Sequence, residues 1–373
     1  MAAGHLSIGF ARRGYSSSGG AEAYLKRLAA GVTAAGHEAR LFTTAEWPEE
    51  EWPFGAITRI RGDSPIAFAD GLEQTRAQVR CDVLMSLERV WSCDVYRAGD
   101  GVHRAWLNRR AALAGPLRRA ADAVSPKHLA TLRLEQSLFG RQAAARVIAN
   151  SHMVKTEIAQ VYGYPAAQID LIPNGVPVEQ FSRSAELRAT SRIELGVGDS
   201  DIAVLFVGSG WERKGLRFAI RAVEAIRDAR VRLLVAGKGN QEAFGSPVVQ
   251  FLGVRKDLPA LYAAADLFLL PTIYDPFSNA SLEAIAAGVP VITTRANGCA
   301  EIIAEGQHGS VVERPDDVPA LTRWLRLWCD ADRREKARPR LLELATRYDI
   351  AVNVRRTLDV LLQVAARAES TSG

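Results

Sequence analysis

Short apolar runs alternate with polar loops and amphipathic stretches along this chain, and the alternation occurs twice. The first series opens with the run Leu6–Phe10, a polar loop from Arg12 to Gly20, and helical periodicity over Glu22–Ala35 that stops at Gly36-His37. A second run, Ala39–Thr43, completes a βαβ unit. Strands are also predicted at Cys81–Leu87, Arg146–Ala149 and Ile169–Ile172, with Val90–Gly101 read as a connecting segment. Helices are predicted over Leu129–Ala145 and from Asn150-Ser151 through Tyr162, Ser151 serving as N-cap. Pro173-Asn174-Gly175-Val176 marks a turn and an interdomain linker. The second series predicts strands at Ile202–Val207, Val231–Ala236, Val248–Leu252, Leu267–Leu270 and Val291–Thr294. Helices fall over Leu216–Asp228, Leu258–Ala265 and Ser278–Ala287, the last stopped by Gly288. Gly298–Glu301 reads as a loop, and helices over Val318–Cys329, Arg333–Arg347 and Ile350–Arg367 close the chain. Asp316 and Asp317 are read as caps, and Trp324, Leu325 and Trp328 as core. The pattern predicts an α/β protein of two doubly wound, Rossmann-like domains, residues 1–173 and 174–349.

Composition narrows the class. With 373 residues, 48% apolar and 24% charged, the chain can bury two cores and has the balance of a soluble globular protein. It shows no signal peptide and no apolar run of membrane-spanning length. Cys81, Cys93, Cys299 and Cys329 are scattered without a CxxC pair, which suits reduced thiols in a cytosol. The net charge of +5 matters for where it lies. Residues 103–127 carry Arg104, Arg109, Arg110, Arg118, Arg119 and Lys127 against one acid, Asp122, with Trp106, Leu107, Leu113 and Leu117 interleaved. This stretch reads either as an ordinary solvated helix pair or as attachment to an anionic membrane surface, on the cytoplasmic face of an inner membrane. Nucleic acid is set aside, because no recognition motif accompanies the charge.

The candidate chemistry lies in loops. Gly208-Ser-Gly-Trp-Glu-Arg-Lys-Gly215 places Arg213 and Lys214 at a helix start, where two cations add to the helix dipole. That is unfavourable until an anion arrives. The helix after the 275 loop offers free amides at its own start, from Phe277, Ser278, Asn279 and Ala280. Asp275 and Glu283 bracket that start, and a carboxylate beside an anion site suits hydroxyls. Hydroxyls plus phosphate describe a nucleotide sugar. Gly19-Gly20 either lets amides approach a phosphate or sugar or only makes a tight turn; the GxGxxG fingerprint is absent. Asp100, between two glycines, reads as a surface turn or as a ligand-facing acid, and His103 as a second candidate or a solvated loop residue. Asp199-Ser-Asp201 imitates a metal-binding DxD, but its acids begin a strand instead of ending one, and no other cluster has metal spacing. No metal is therefore expected.

Asp275 and Glu283, separated by seven residues, are followed by Ala-Ile-Ala-Ala-Gly-Val-Pro-Val-Ile. This resembles the C-terminal signature of retaining GT-B glycosyltransferases of family 4, with Asp275 where the family usually has Glu. Tyr274-Asp-Pro-Phe-Ser-Asn-Ala280 and Asp94-Val-Tyr resemble the branch that builds the lipopolysaccharide inner core, the core heptose glucosyltransferases. Gly-Gly-Ala-Glu at 19–22 is also characteristic of these transferases. The resemblance implies a GT-B fold, two domains facing each other across a cleft with the final helix, about 350–367, crossing back to the first. It implies an acceptor-side first domain and a second domain that binds a UDP-sugar. It makes Arg213 and Lys214 a diphosphate clamp and puts Asn174 at the hinge and Gly253–Arg255 at the base. Glu283 falls on ribose hydroxyls, Asp275 on sugar hydroxyls, and Asp100 faces the donor sugar and the acceptor hydroxyl. The expected reaction moves a hexose, glucose in the nearest branch, to a lipid-linked or lipopolysaccharide core acceptor without metal. Transfer of heptose, N-acetylhexosamine or mannose to another acceptor, a paired-carboxylate hydrolase, and a non-catalytic nucleotide-sugar or lectin-like module are the alternatives.

Overall fold

The computed structural model describes residues 5–15, 20–115 and 125–372, with side chains as far as 367. The chain divides into two compact units, one of residues 1–173 and 353–373, the other of residues 174–352.

The first unit is built on a parallel sheet: β1 (Ser7–Ala11), β2 (Glu38–Thr43), β3 (Ile57–Arg59), β4 (Val83–Ser86), β5 (Cys93–Arg97), β6 (Ala144–Ala149) and β7 (Ile169–Leu171). The spatial order β3-β2-β1-β4-β5-β6-β7 reverses direction between β1 and β4. That is the switch point at which open α/β sheets bind ligands, at the carboxyl ends of the strands. Helices α1 (Gly20–Ala34), α2 (Pro65–Arg76), α3 (His103–Leu113), α4 (Pro126–Glu135) and α5 (His152–Tyr162) connect or flank the strands. The Ser151 hydroxyl caps α5 by accepting the Val154 amide. The closing helix, Ile350–Ser372, supplies Val360, Leu361 and Ala365 to the core around Leu25, Leu28, Trp47 and Trp52. It packs closely because α1 carries Gly31: a Cβ there would stand 2.3 Å from Val354 Cγ1.

The second unit repeats the plan with β8 (Ile202–Val207), β9 (Val231–Ala236), β10 (Val249–Gly253), β11 (Leu267–Leu270), β12 (Val291–Thr294) and β13 (Gly309–Val312), in the order β10-β9-β8-β11-β12-β13. Its switch point lies between β8 and β11. Both strands are apolar throughout, as strands covered on two faces must be. Helices α6 (Ala185–Glu194), α7 (Leu216–Glu224), α8 (Leu258–Ala264), α9 (Asn279–Ala286), α10 (Val318–Trp328) and α11 (Ala331–Thr346) complete it. Asp266, at the foot of β11, pairs with Arg188 at 2.6 Å and Arg192 at 2.9 Å and fastens α6 to the sheet.

Several local expectations change. Leu129–Ala145 is not one α-helix: α4 stops at Glu135, a single π turn covers Gln136–Gly140, and Gln142 at φ 56° turns the chain into β6. Val90–Gly101 contains a strand, β5, whose short polar-flanked run hid its pairing with β4 and β6. Gly298–Ile302 is a 3₁₀ turn capped by the Asn297 side chain. Trp324 is only half-buried, with the Arg323 guanidinium 5.3 Å from its ring, while Leu325 and Trp328 are fully buried. Asp317 caps α10, and Asp316 instead pairs with Arg314 at 2.7 Å.

Candidate active site

In the second unit the loops after β8 and β11 are stitched into one surface. Gly215, at φ 78°, ends the first loop against Pro271, whose carbonyl oxygen would lie 1.9 Å from any Cβ there. The Arg213 carbonyl accepts the Thr272 hydroxyl at 3.0 Å and the Ile273 amide at 2.9 Å. The Arg213 guanidinium donates to the Tyr274 carbonyl at 3.0 Å. Lys214 Nζ stands 2.7 Å from Asp275 Oδ2, with both side chains largely buried. The expected clash of two cations with the helix dipole is therefore relieved before any ligand binds: Asp275 offsets Lys214, and the Arg213 side chain turns to a carbonyl. Trp211 floors the loop, stacked on Phe251 at 5.2 Å and donating its indole N–H to the Gly208 carbonyl.

The start of α9 is organised by Asn297, which is fully buried and uses both ends of its amide. Its Oδ1 accepts the amides of Ser278 (3.1 Å) and Cys299 (3.0 Å). Its Nδ2 donates to Ser281 Oγ (3.2 Å) and Thr293 Oγ1 (3.0 Å). The Ser278 hydroxyl caps the helix through the Ser281 amide. Of the expected anion-binding amides, that of Ser278 is thus occupied, while those of Asn279 and Ala280 lie in the first turn, where the helix provides no acceptor. Phe277 is buried, 6.4 Å from the Tyr348 ring. Asn174 Nδ2 donates to the Phe277 carbonyl (3.0 Å) and to Asn279 Oδ1 (2.7 Å), so it braces this loop. Glu283, one turn into α9, accepts the hydroxyl of Tyr262 at 2.8 Å. Burial, and then the charge of Glu283, push that phenol well above its ordinary range, so it stays a donor. Gly253 ends β10 at φ 67°, and Arg255 is held by Asp257 at 2.5 Å.

The switch point of the first unit holds a different set. Arg12, directly after β1, bridges Glu22 at 2.9 Å and Glu88 at 2.7 Å. Arg89 bridges Glu135 at 2.9 Å and approaches Asp100 at 3.7 Å. Burial works against the charge of Arg12, but Glu88 and Glu22 outweigh it and raise its pKa. Burial raises the pKa of Glu88, and Arg12 offsets part of that rise. Glu135 is fully buried and also accepts the His103 amide (2.6 Å) and the Tyr162 hydroxyl (2.7 Å). Asp100 sits at the mouth, 69% exposed, beside the turn made by Gly101 at φ 66°. His103 is not a solvated loop residue. It begins α3, its Nε2 lies 3.1 Å from His128 Nδ1, and its ring packs against Trp106. Burial, then Arg89, His128 and Lys127, bring its pKa down to about 3.

Gly20 opens α1; Gly19, Arg118 and Arg119 lie outside the described residues. Among the described residues no group of three His, Cys, Asp or Glu side chains could hold a metal ion. Sequence reasoning missed Asn297, Tyr262, Arg12, Glu88, Arg89 and Glu135. Arg12 and Glu88 each directly follow an apolar strand, a signal that was present; Asn297 and Tyr262 gave none.

Comparison with known proteins bears on the family and the fold. Residues 18–180 match the model of Glycosyltransferase Family 4, and residues 201–328 that of Glycosyl transferases group 1. An uncharacterised glycosyltransferase of Methanocaldococcus jannaschii is 31% identical over 191 residues, 47% of this chain and 49% of that protein, so the match spans about half the length of that relative. Among solved structures, WaaG, a glycosyltransferase involved in lipopolysaccharide biosynthesis, has a TM-score of 0.80 at 22% identity, covering 95% of this chain and 99% of WaaG. HepE of Anabaena, in complex with UDP and glucose, has a TM-score of 0.74 at 20% identity over 96% of this chain and 99% of HepE.

Proposed function

We propose a hexosyl transfer from a UDP-sugar for this chain, which belongs to the glycosyltransferases of the GT-B fold. The acceptor is a lipid-linked glycan such as a lipopolysaccharide core, and the hexose is glucose. The observation that carries the reading is the joined pair of loops at the second switch point, where Arg213 and Lys214 stand at a helix start with Asp275 directly against Lys214. A diphosphate arriving there meets a guanidinium that can bind bidentately and an ammonium that acts as a point charge. As it binds, Lys214 can share its protons between phosphate and carboxylate. Asp275 is then left with acceptor capacity for sugar hydroxyls. Glu283, oriented by Tyr262, accepts the two hydroxyls of the ribose. The amides of Asn279 and Ala280 face the same anion.

Charge that develops on the leaving diphosphate is thus stabilised by groups already in place, which is where such catalysis gains most. No metal is needed to neutralise it. The anomeric configuration is retained: the leaving phosphate takes the acceptor's proton on the same face, while Asp100 orients the acceptor and forms no covalent bond. The first unit is the acceptor side and the second the donor side. The solved likeness of HepE with UDP and glucose supports a UDP-sugar donor, and that of WaaG supports a lipopolysaccharide-type acceptor. No described helix is long and apolar enough to cross a membrane. Attachment to the cytoplasmic face of the inner membrane would use the basic residues from Arg104 to Lys127. In that stretch Arg109 is paired with Glu157 at 2.5 Å, and Arg110 lies 4.9 Å from the Trp106 ring.

The test is a calorimetric screen of UDP-, GDP- and ADP-glucose, followed by product analysis on truncated lipopolysaccharide core. Binding of UDP-glucose, UDP release that depends on the core, and an α-linked product are expected. Rapid hydrolysis of a glycan without nucleotide, or nucleotide-sugar binding without any transfer, would replace the reading with a hydrolase or a binding module. Co-sedimentation with phosphatidylglycerol vesicles checks the membrane face: charge reversal at Arg104 should weaken it, and equal binding to neutral vesicles ends that part.

A further inference from the structure

Away from both switch points, at the amino ends of β11 and β12, the second unit gathers arginines that the donor site does not use. Asp266, just before β11, is shared by Arg188 at 2.6 Å, Arg192 at 2.9 Å and Arg334 at 3.8 Å. Arg188 also donates to the carbonyls of Ala263, Ala264 and Ala265 at the end of α8. Those three guanidiniums are accounted for; Arg183 and Arg338 are not. The Arg338 guanidinium donates to the Arg183 carbonyl at 3.0 Å, which joins the two residues at one spot. The Arg338 stem lies against the end of α9, where a Cβ on Gly288 would stand 2.9 Å from its Cγ. Both arginines are half-buried. Among the described residues neither has an ion pair, and the Arg183 side chain makes no hydrogen bond. Burial, then Arg188 and Arg338, bring the Arg183 pKa down to about 10, with Asp266 and Glu335 acting the other way. Asp266 is already taken. Glu335, and Glu186 in the first turn of α6, are exposed and make no ion pair among the described residues. Arg183 also stands directly before the Ser184 cap of α6, where the helix dipole disfavours a cation. At Lys214 and Arg213 the same conflict is met by Asp275 and the Tyr274 carbonyl. Here the chain supplies no such partner.

We propose that Arg183 and Arg338 form a second anion site, separate from the donor site, which takes a phosphate group. Guanidinium forks match phosphate oxygens in pairs. The first-turn amides of α6 lack helical acceptors and attract the same charge. The two sites lie at opposite ends of one sheet. The donor loops follow β8 and β11, whereas Asp266 precedes β11 and Gly288 precedes β12. Both can therefore be filled at once. A free phosphate and the headgroup of an anionic lipid present the same chemistry to the two arginines.

The experiment titrates the full chain with inorganic phosphate by calorimetry, at an ionic strength held constant with chloride. Arg183→Gln should weaken phosphate binding at least tenfold. Arg338→Gln, which keeps part of the stem over Gly288, should weaken it by a similar factor. Arg183→Lys keeps the charge without the fork and should recover part of the loss. Lys214→Met should change this site less than twofold. In chloride alone Arg183→Gln should melt no lower than wild type, because it removes a cation that has no partner of its own. Sedimentation with phosphatidylcholine vesicles, with and without phosphatidic acid, separates the two sources. Phosphate binding in solution that depends on Arg183 supports the site with a free ligand. Arg183-dependent binding to phosphatidic acid alone supports it with a headgroup. The assignment is overturned if neither depends on Arg183, or if Lys214→Met abolishes the phosphate site, which then belongs to the donor loops. If Arg183→Gln fails to fold, Arg338→Gln decides by the same criteria. UDP-glucose affinity should stay within twofold in Arg183→Gln. A wild type that binds no UDP-sugar removes the transferase reading and leaves this one standing.

Discussion

The two switch points occupy the same place in two sheets of the same topology and carry differently arranged charges. Between β8 and β11 two cations meet one carboxylate, with Glu283 a helix turn further on. Between β1 and β4 two arginines meet four carboxylates. Topology fixes where a ligand can bind, and the side chains just past the strand ends fix which ligand it is. Cations at a helix start suit a diphosphate; carboxylates shared between arginines suit hydroxyls. The two crevices also differ in how they are braced. The second uses an amide hub, Asn297, and the first a side-chain carboxyl hub, Glu135, bridged to Arg89.

The sharpest way to break this contrast is to remove the cation at the second crevice. Lys214→Met should lower transfer at least about a hundredfold, the order expected for one lost stabiliser of transition-state charge. It also leaves Asp275 buried without its partner, a loss of about 3–5 kcal/mol in stability. The double variant Lys214→Met/Asp275→Asn should regain most of that stability and none of the UDP affinity. Urea unfolding and UDP calorimetry read the two quantities separately. A double variant that binds UDP like wild type would show that the cation is structural and the contrast empty.

A smaller loss tests the amide hub. Asn297→Ala strands the amides of Ser278 and Cys299 in the interior, at about 1–3 kcal/mol each. A loss near 2 kcal/mol would lower the melting temperature of a unit this size by about 4–8 °C. UDP affinity should fall with it, because the start of α9 loses its anchor. Tyr262→Phe removes one hydroxyl, which lies 2.8 Å from Glu283 Oε2 and 3.0 Å from the Ala280 carbonyl. Glu283 keeps its charge but loses a donor, so donor KM should rise about tenfold or less, with kcat and stability nearly unchanged. An unaltered KM would remove Glu283 from the nucleotide site.

Long apolar runs made most of this fold legible. Ile202–Val207, Val231–Ala236 and Leu267–Leu270 were bounded to the residue, because a strand buried on both faces leaves a continuous signature. Short pieces with few apolar residues, such as Ile57–Arg59 and Gly309–Val312, escaped because Thr58 and Arg59, or Gly309 and Ser310, leave too short an apolar run to read as a strand. In the site, Arg213, Lys214, Asp275 and Glu283 were visible as charges at a predicted helix start. Their direct pairing was not, since the 2.7 Å contact joins residues 61 apart. Asn297 and Tyr262 were invisible for a different reason: each acts through hydrogen bonds that only packing creates. The first crevice was seen only through Asp100 and His103, as Arg12, Glu88 and Glu135 converge from three distant segments.

The smallest effect separates the crevices by pH. His103 begins α3 beside the Glu135 hub, while the loops 208–215 and 271–278 contain no histidine. In the unfolded chain an imidazole takes its proton near 6.5, but burial, and then the cations around it, hold His103 neutral in the folded protein down to about 3. Between those values the unfolded state binds more protons, so this group costs stability progressively as pH falls from about 7, and costs nothing above. His103→Asn should remove that slope. The variant should gain on wild type between pH 7 and pH 5 by an amount on the order of 1 kcal/mol, reduced from the full shift because the ring is partly open to solvent. Amide exchange followed at both pH values localises the gain: it should appear in β5, α3 and α4 and leave β8, β11 and α9 unchanged. A uniform gain across both units would mean that the acid sensitivity is not a property of the first crevice.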